Sequence, residues 1–278
     1  MSPDRSARPE APSSGRRARL CVLFDASPGS LAALELAIAD RQPDQALEVL
    51  FLDEPDWQRS AAYAFTAEVC SVSGQLRPHH PDSASWRQQA GRARARRALQ
   101  ARLSPLGLAA HLRICPGQEL DNWLAGLDGS DCLALGRVGY AEQQGRRLGR
   151  LVHRLVQRSQ VSLMLPSPIA PKPPRCIGVL LDTPEIPASL VDRASARAAA
   201  LGLPLLLIGQ ADSLSLASPA ECYRPNYPGG SAGQAELARL LRARGVAELW
   251  VSRGGHWLGS PQGLARLAAL PATLRVVA

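Results

Sequence analysis

The stretch GQELDNWLAGLDGSDCLALGRVG, residues 117–139, returns without a gap as GQAELARLLRARGVAELWVSRGG, residues 233–255. Seven of the 23 positions are identical: Gly117/Gly233, Gln118/Gln234, Leu124/Leu240, Gly129/Gly245, Leu133/Leu249, Arg137/Arg253 and Gly139/Gly255. In the first copy ELDNWLAGL has helical periodicity, DCLALG reads as a buried strand, and glycines follow the strand. The starts of the two halves match as well, VLFD ending at Asp25 and VLLD ending at Asp182. Gly117 follows Asp25 by 92 positions and Gly233 follows Asp182 by 51, so the second half lacks most of one helical excursion.

Outward from the repeat, strands and helices alternate. RLCVLFD (19–25) reads as a strand, ASPGS as a turn, LAALELAIADR as a helix and LEVLFLD (47–53) as a second strand with no polar alternation. Such continuous apolar runs suit parallel strands covered on both faces. Residues 54–81 have no regular pattern, 85–103 read as a long arginine-rich helix, and AAHLRIC (109–115) as a third strand. After the fourth strand (131–136) come a helix (149–159) and a fifth strand, VSLMLP (161–166). PSPIAPKPPR (166–175) is a stiff proline-rich linker. Beyond it CIGVLLD (176–182), a helix and LPLLLIG (203–209) restart the pattern. The fold expected is α/β, with two tandem open parallel-sheet, Rossmann-like domains. Residues 1–17 form a Pro/Ser/Arg-rich tail with nothing to bury, 18–166 the first domain, 167–175 the linker and 176–278 a shortened second domain.

Composition narrows the function classes. The formal charge is +8, yet Lys172 is the only lysine, and five arginines (Arg5, Arg8, Arg16, Arg17, Arg19) lie in or beside the tail. That bias fits the codon usage of a GC-rich genome better than a nucleic-acid surface, and no reader motif accompanies it. The six cysteines form no CxxC pair and no zinc spacing, so neither a metal site nor a disulfide framework is expected, and a reducing cytoplasm is the simplest location. No apolar run is long enough for a membrane span or a signal peptide. His79 and His80 sit in a proline-flanked loop without further spaced ligands, and GxSxG, P-loop and dinucleotide fingerprints are absent.

The remaining chemistry lies in the glycines after strand four. Gly136, Gly139 and Gly149 form a Gly-x2-Gly-x9-Gly pattern ending at a helix start, where backbone amides and the helix dipole favour an anion. Arg146, Arg147 and Arg150 are placed to add charge-assisted contacts. Two readings are open: the segment cradles a phosphate, or it only shapes a turn. With this pattern, the Asp25-Ala26-Ser27 turn and Gly117 after strand three, the sequence resembles the universal stress protein family, as a tandem member. The resemblance implies a pseudo-dimer of the two halves through VSLMLP and TLRVVA, with homodimerisation as a further expectation. It also implies ATP or a related adenine nucleotide in the N-terminal domain, with Asp25, Ala26 and Ser27 at the adenosine end, the loop of Gly136, Gly139 and Gly149 cradling the phosphates, and Gly117, Arg137 and Arg150 among the binding residues. Arg150 stands where the family's ATP-binding pattern has Ser or Thr.

The second half has Ser252 in place of Gly136 and only seven residues between Gly255 and Gly263, too short a loop for that pattern. No triphosphate is expected there, and His256 and Trp257 either line another pocket or pack. No catalytic residue is assigned, so turnover is at most slow ATP hydrolysis. The functional expectation is a cytoplasmic stress-response regulator or sensor. The alternative is a ligand-free scaffold that docks on a transporter or signalling protein.

Overall fold

Along the first strand Leu20, Val22 and Phe24 enter one buried cluster while Cys21 and Leu23 enter another, so the sheet is covered on both faces. The computed structural model describes residues 18–43, 45–53, 67–69, 73–78, 81–108, 112–116, 119–137, 149–167, 169, 173–183, 187–209, 220–223 and 231–277. In chain order the N-terminal half comprises β1 (Leu20–Leu23), α1 (Pro28–Asp40), β2 (Leu47–Asp53), a hairpin of β3 (Ala67–Val69) and β4 (Leu76–Pro78), α2 (Pro81–Leu103), a 3-10 turn (Ser104–Leu106), β5 (Leu112–Pro116), α3 (Leu120–Ala125), β6 (Cys132–Leu135), α4 (Arg150–Arg158) and β7 (Ser162–Leu165). The C-terminal half comprises β8 (Cys176–Leu181), α5 (Ala188–Leu201), β9 (Leu205–Gly209), β10 (Ala220–Tyr223), α6 (Ser231–Arg244), β11 (Val246–Ser252), α7 (Pro261–Ala268) and β12 (Thr273–Val277).

One ten-stranded sheet runs through both halves in the order β10-β9-β8-β11-β12-β7-β6-β1-β2-β5. Each half is a parallel five-stranded sheet of the same doubly wound topology. They meet where β7 and β12 pair antiparallel, Leu165 with Leu274, Met164 with Arg275 and Leu163 with Val276. The two halves form the expected pseudo-dimer within one chain.

The two faces of the joint differ. On the side of α3, α4, α6 and α7 a single apolar cluster continues across both halves, from Leu133 and Leu155 to Leu241 and Leu267. On the side of α1 and α5 the clusters are separate, one around Phe24, Leu34 and Leu99, the other around Ile177, Leu190 and Trp250. Buried polar residues, Glu248 and Arg275 among them, stand between these two.

The expected elements are present with small shifts. The expected third strand is β5, described over Leu112–Pro116, and 109–111 lie outside the described residues, as do 1–17 and the His79–His80 pair. The segment expected to be irregular contains the β3–β4 hairpin, too short to show period-two alternation. β10 carries no recognisable strand signal in ASPAECYRP yet pairs parallel with β9. In the N-terminal half the hairpin and α2 separate β2 from β5, whereas only residues 210–219 separate β9 from β10. No described helix is long and apolar enough to cross a membrane.

The sheet starts from a buried carboxylate. Asp131, fully buried just before β6, accepts Arg19 N at 2.6 Å, Arg19 Nη2 at 3.0 Å and Asp128 N at 3.1 Å, tying the chain entering β1 to the turn entering β6. Removing it strands several donors. Asp131→Ala is expected to lower stability by about 3 kcal/mol, read as a lower denaturant midpoint with an unchanged slope.

Candidate functional site

In each half the strand order reverses at one point, between β1 and β6 and between β8 and β11. Loops leaving the carboxyl ends of such strands border a crevice where ligands of this topology bind. In the N-terminal half the first loop is Asp25-Ala26-Ser27. Asp25 Oδ1 accepts Ser27 N at 2.9 Å, and Ser27 Oγ caps α1 by accepting Ser30 N at 3.1 Å. Ser30 Oγ donates back to Ser27 O at 3.1 Å. Ala26, between them, has φ +59, the only positive φ among the described non-glycine residues. For alanine that conformation costs roughly 1–2 kcal/mol, so the neighbouring hydrogen bonds hold a strained turn in place.

The second loop begins at Gly136. A Cβ there would lie 2.8 Å from the carbonyl carbon of Gly29 and 3.0 Å from Ser30 N, so only glycine lets β6 end against the N-terminus of α1. Gly149 N donates to Arg137 O at 3.0 Å, which brings the two ends of the loop together at the start of α4. Asp25, Ala26, Ser27, Gly136 and Gly149 thus gather around one crevice. Gly117, Gly139, Arg146, Arg147 and the side chain of Arg150 lie outside the described residues.

The guanidinium of Arg137, expected among the nucleotide-binding residues, is engaged elsewhere. It is buried and donates to Ala268 O at 2.6 Å, Leu270 O at 3.0 Å, Leu165 O at 3.4 Å and Ala272 O. Three of these carbonyls belong to the α7–β12 connection of the other half. Arg253, its counterpart in the repeat, makes the reciprocal reach to Leu155 O at 3.0 Å and Val156 O at the end of α4 and to Val161 O at 2.7 Å just before β7. Burial pushes both guanidiniums down to about 10, which leaves them cationic at neutral pH. The two arginines are crossed clasps of the pseudo-dimer.

The corresponding crevice of the C-terminal half is filled. Residues 252–260 fold into tight turns, with Gly255 N on Ser252 O at 3.0 Å and both Leu258 N and Gly259 N on Gly255 O. Asp182 Oδ2 accepts Trp257 N at 2.9 Å, and a Cβ on Gly255 would fall on the Asp182 carboxylate. Trp257 packs on the core while His256 is exposed, so Trp257 is a packing residue. Asp182 Oδ1 is buried without a hydrogen-bond partner among the described residues, and burial raises the Asp182 pKa.

Other chemistry is sparse among the described residues. No group of three His, Cys, Asp or Glu is positioned to hold a metal. Burial pushes the thiols of Cys21 and Cys132 up to about 12 and about 11, so neither is a thiolate nucleophile at neutral pH. A hollow of about 330 Å³ lined by Arg41, Leu47 and Leu108 lies at the amino end of β2, away from both crevices.

Two stability measurements check these assignments. Arg137→Ala and Arg253→Ala are each expected to cost about 2–4 kcal/mol, and lysine is expected to restore little because it lacks the planar fork. Asp182→Asn is expected to raise the denaturation midpoint at pH 7. A folded-state carboxyl pKa above its unfolded value makes the wild type less stable as pH rises through the folded value. The advantage of the variant should therefore shrink as pH falls from 7 toward the unfolded carboxyl pKa of about 4.

No family model matches the sequence, and no curated protein matches it. Solved structures do. A universal stress protein from Archaeoglobus fulgidus DSM 4304 superposes with TM-score 0.56 at 11% identity, over 93% of this chain and 95% of that one. A functionally unknown protein from Pseudomonas aeruginosa PAO1 superposes with TM-score 0.53 at 11% identity, over 93% of this chain and 92% of that one. The doubly wound order of each half, the antiparallel joint and these superpositions agree: the chain has the universal stress protein fold in tandem.

Proposed function

We propose that the protein is a stress-response regulator or sensor of the reducing cytoplasm that takes an adenine nucleotide, ATP or a close relative, in its N-terminal half. The observation that carries this reading is the contrast between the two crevices. In the C-terminal half Trp257 N occupies the strand-one aspartate, and the turn over Gly255 fills the space above it. In the N-terminal half Asp25 is bonded within its own turn to Ser27, and nine residues of loop separate Gly139 from Gly149, against seven between Gly255 and Gly263. The nucleotide would lie with its adenosine end at Asp25, Ala26 and Ser27 and its phosphates toward the amides at the start of α4. Catalysis is not part of the proposal, since no positioned base or metal cluster accompanies the described residues of the crevice.

A second reading, a ligand-free docking scaffold, gains one observation. Arg137 spends its charge on the clasp and leaves the crevice without that cation. Titration with a fluorescent ATP analogue separates the two. Saturable binding at up to millimolar ligand, abolished by Gly139→Val with the circular dichroism spectrum unchanged, is the expected result. Arg137→Lys should leave that affinity within about threefold, because a clasp residue changes stability rather than nucleotide contact. Absence of saturable binding would remove the nucleotide reading in favour of the scaffold.

A further inference from the structure

The strand registers fix which residues of the two halves are equivalent. β1 on β6 pairs Leu20 with Cys132, and β8 on β11 pairs Ile177 with Glu248. Cys132 and Glu248 are therefore counterparts, as are Ala134 and Trp250 at the same spacing. The 157-residue step from Leu20 to Ile177 also relates the buried Ala33, Leu34 and Ala37 of α1 to Leu190, Val191 and Ala194 of α5. On that helical phase Asp40 is the counterpart of Arg197. The two-fold passes between Met164 and Arg275, which face each other across the β7–β12 ladder.

The counterpart residues at this joint differ in chemistry, and one pair is oppositely charged. Arg197 Nη1 meets Asp40 Oδ1 at 2.6 Å, across the pseudo-dyad. Arg275 Nη1 meets Asp40 Oδ2 at 2.7 Å, its Nε meets Glu248 Oε2 at 3.0 Å, and Arg197 Nη2 closes the ring on Glu248 Oε1 at 3.0 Å. Side-chain exposure is 6% for Arg275 and 7% for Glu248, so these charges depend on one another. The Arg275 guanidinium lies 5.4 Å from the Trp250 ring centroid and beside Met164 Sδ, and the counterpart of that tryptophan is the small Ala134. The Asp40 carboxylate is held below its usual range by Arg275 and Arg197 despite a burial that acts the other way.

The same arithmetic applied to like halves fails. Two N-terminal halves would bring Asp40 against Asp40 beside Met164 against Met164, two carboxylates without any of these guanidiniums. Two C-terminal halves would set Arg275 against Arg275 on the dyad, with both Arg197 side chains nearby, four guanidiniums for two Glu248 carboxylates, and two Trp250 rings where one now packs opposite alanine. Like charges forced together at a desolvated joint cost several kcal/mol.

We propose that this joint is a heterotypic recognition surface. The β7–α1 edge of an N-terminal half accepts the β12–α5 edge of a C-terminal half, normally its own chain's, and rejects a second N-terminal half. The partner that fits is thus defined by a carboxylate–guanidinium–carboxylate–guanidinium ring rather than by the apolar face, which is shared by both halves and would tolerate either pairing. The inference is independent of the nucleotide.

The test uses the folded full-length chain with a protease site placed within residues 167–172. After cleavage, unlabelled and isotope-labelled samples are mixed, diluted and re-equilibrated, and native mass spectrometry reads the pairs. Mixed N-with-C complexes alone are expected. N-with-N or C-with-C species at comparable abundance, or halves that stay unpaired after re-equilibration, would overturn the proposal. Arg197→Asp, which faces Asp40 with a second carboxylate, is expected to weaken the nicked complex on the order of a hundredfold. Adding Asp40→Asn, which removes the facing carboxylate without placing a cation against Arg275, should recover part of that loss. A double variant as weak as the product of the singles would refute charge-coded pairing, and where a nicked variant does not stay folded the same cycle in the uncleaved chain, by denaturant midpoint, reads the coupling.

Discussion

The antiparallel contact of β7 with β12 is the constraint on which the rest of the molecule depends. Each half ends its parallel sheet with a last strand whose outer edge needs a partner. Pairing these two strands gives that partner to both at once. It also makes one continuous apolar layer beneath α3, α4, α6 and α7, so neither half has a complete core on that side by itself. Arg137 and Arg253 follow from the same geometry. The dyad brings the end of β6 close to the α7–β12 connection and the end of β11 close to the α4–β7 connection, and a long planar cation can satisfy several carbonyls at each crossing.

Joining two halves in one chain removes the requirement that counterparts be the same. At a symmetric joint a residue near the dyad must tolerate its own copy, which excludes a buried charge facing itself. Here Asp40 faces Arg197 and Met164 faces Arg275, arrangements possible only when the two sides have separate sequences. The crevices used the same freedom. Asp25 and Asp182 occupy the same place after the first strand, yet one holds its own turn and the other is capped by Trp257 N.

Much of this was legible in the sequence because it rests on local pattern. Unbroken apolar runs gave the parallel strands, and the ungapped repeat from Gly117 and Gly233 gave two copies whose offset reappears in the strand registers. β10 and the β3–β4 hairpin were not legible, since strands of three or four residues show too little periodicity and are fixed by tertiary pairing. At the crevice, Gly136 and Gly149 could be placed from spacing, but the direction of Arg137 could not. A signal was available all the same: Arg137 and Arg253 are identical in a repeat whose loops otherwise diverge. Identity retained on both sides, where only one loop suits a phosphate, points to a role that both halves share. The ion-pair ring around Arg275 had no such signal, because its four members are far apart in the chain and only the fold brings them together.

The clasp also explains how the proposed ligand crevice can coexist with a rigid joint. Arg137 takes part in both through different atoms: its carbonyl accepts Gly149 N where the loop closes, while its side chain is held by the opposite half. The closing point of the loop is therefore anchored to the α7–β12 connection rather than to solvent-exposed chain. In the C-terminal half Arg253 N instead donates to Val277 O, and the shorter loop collapses over Asp182. That collapse leaves one carboxylate oxygen buried and without a partner among the described residues, a cost a helix-capping turn alone would not require. The filled crevice is thus held at some expense in stability, offset by the apolar contacts of Leu258 and Trp257 with the shared core.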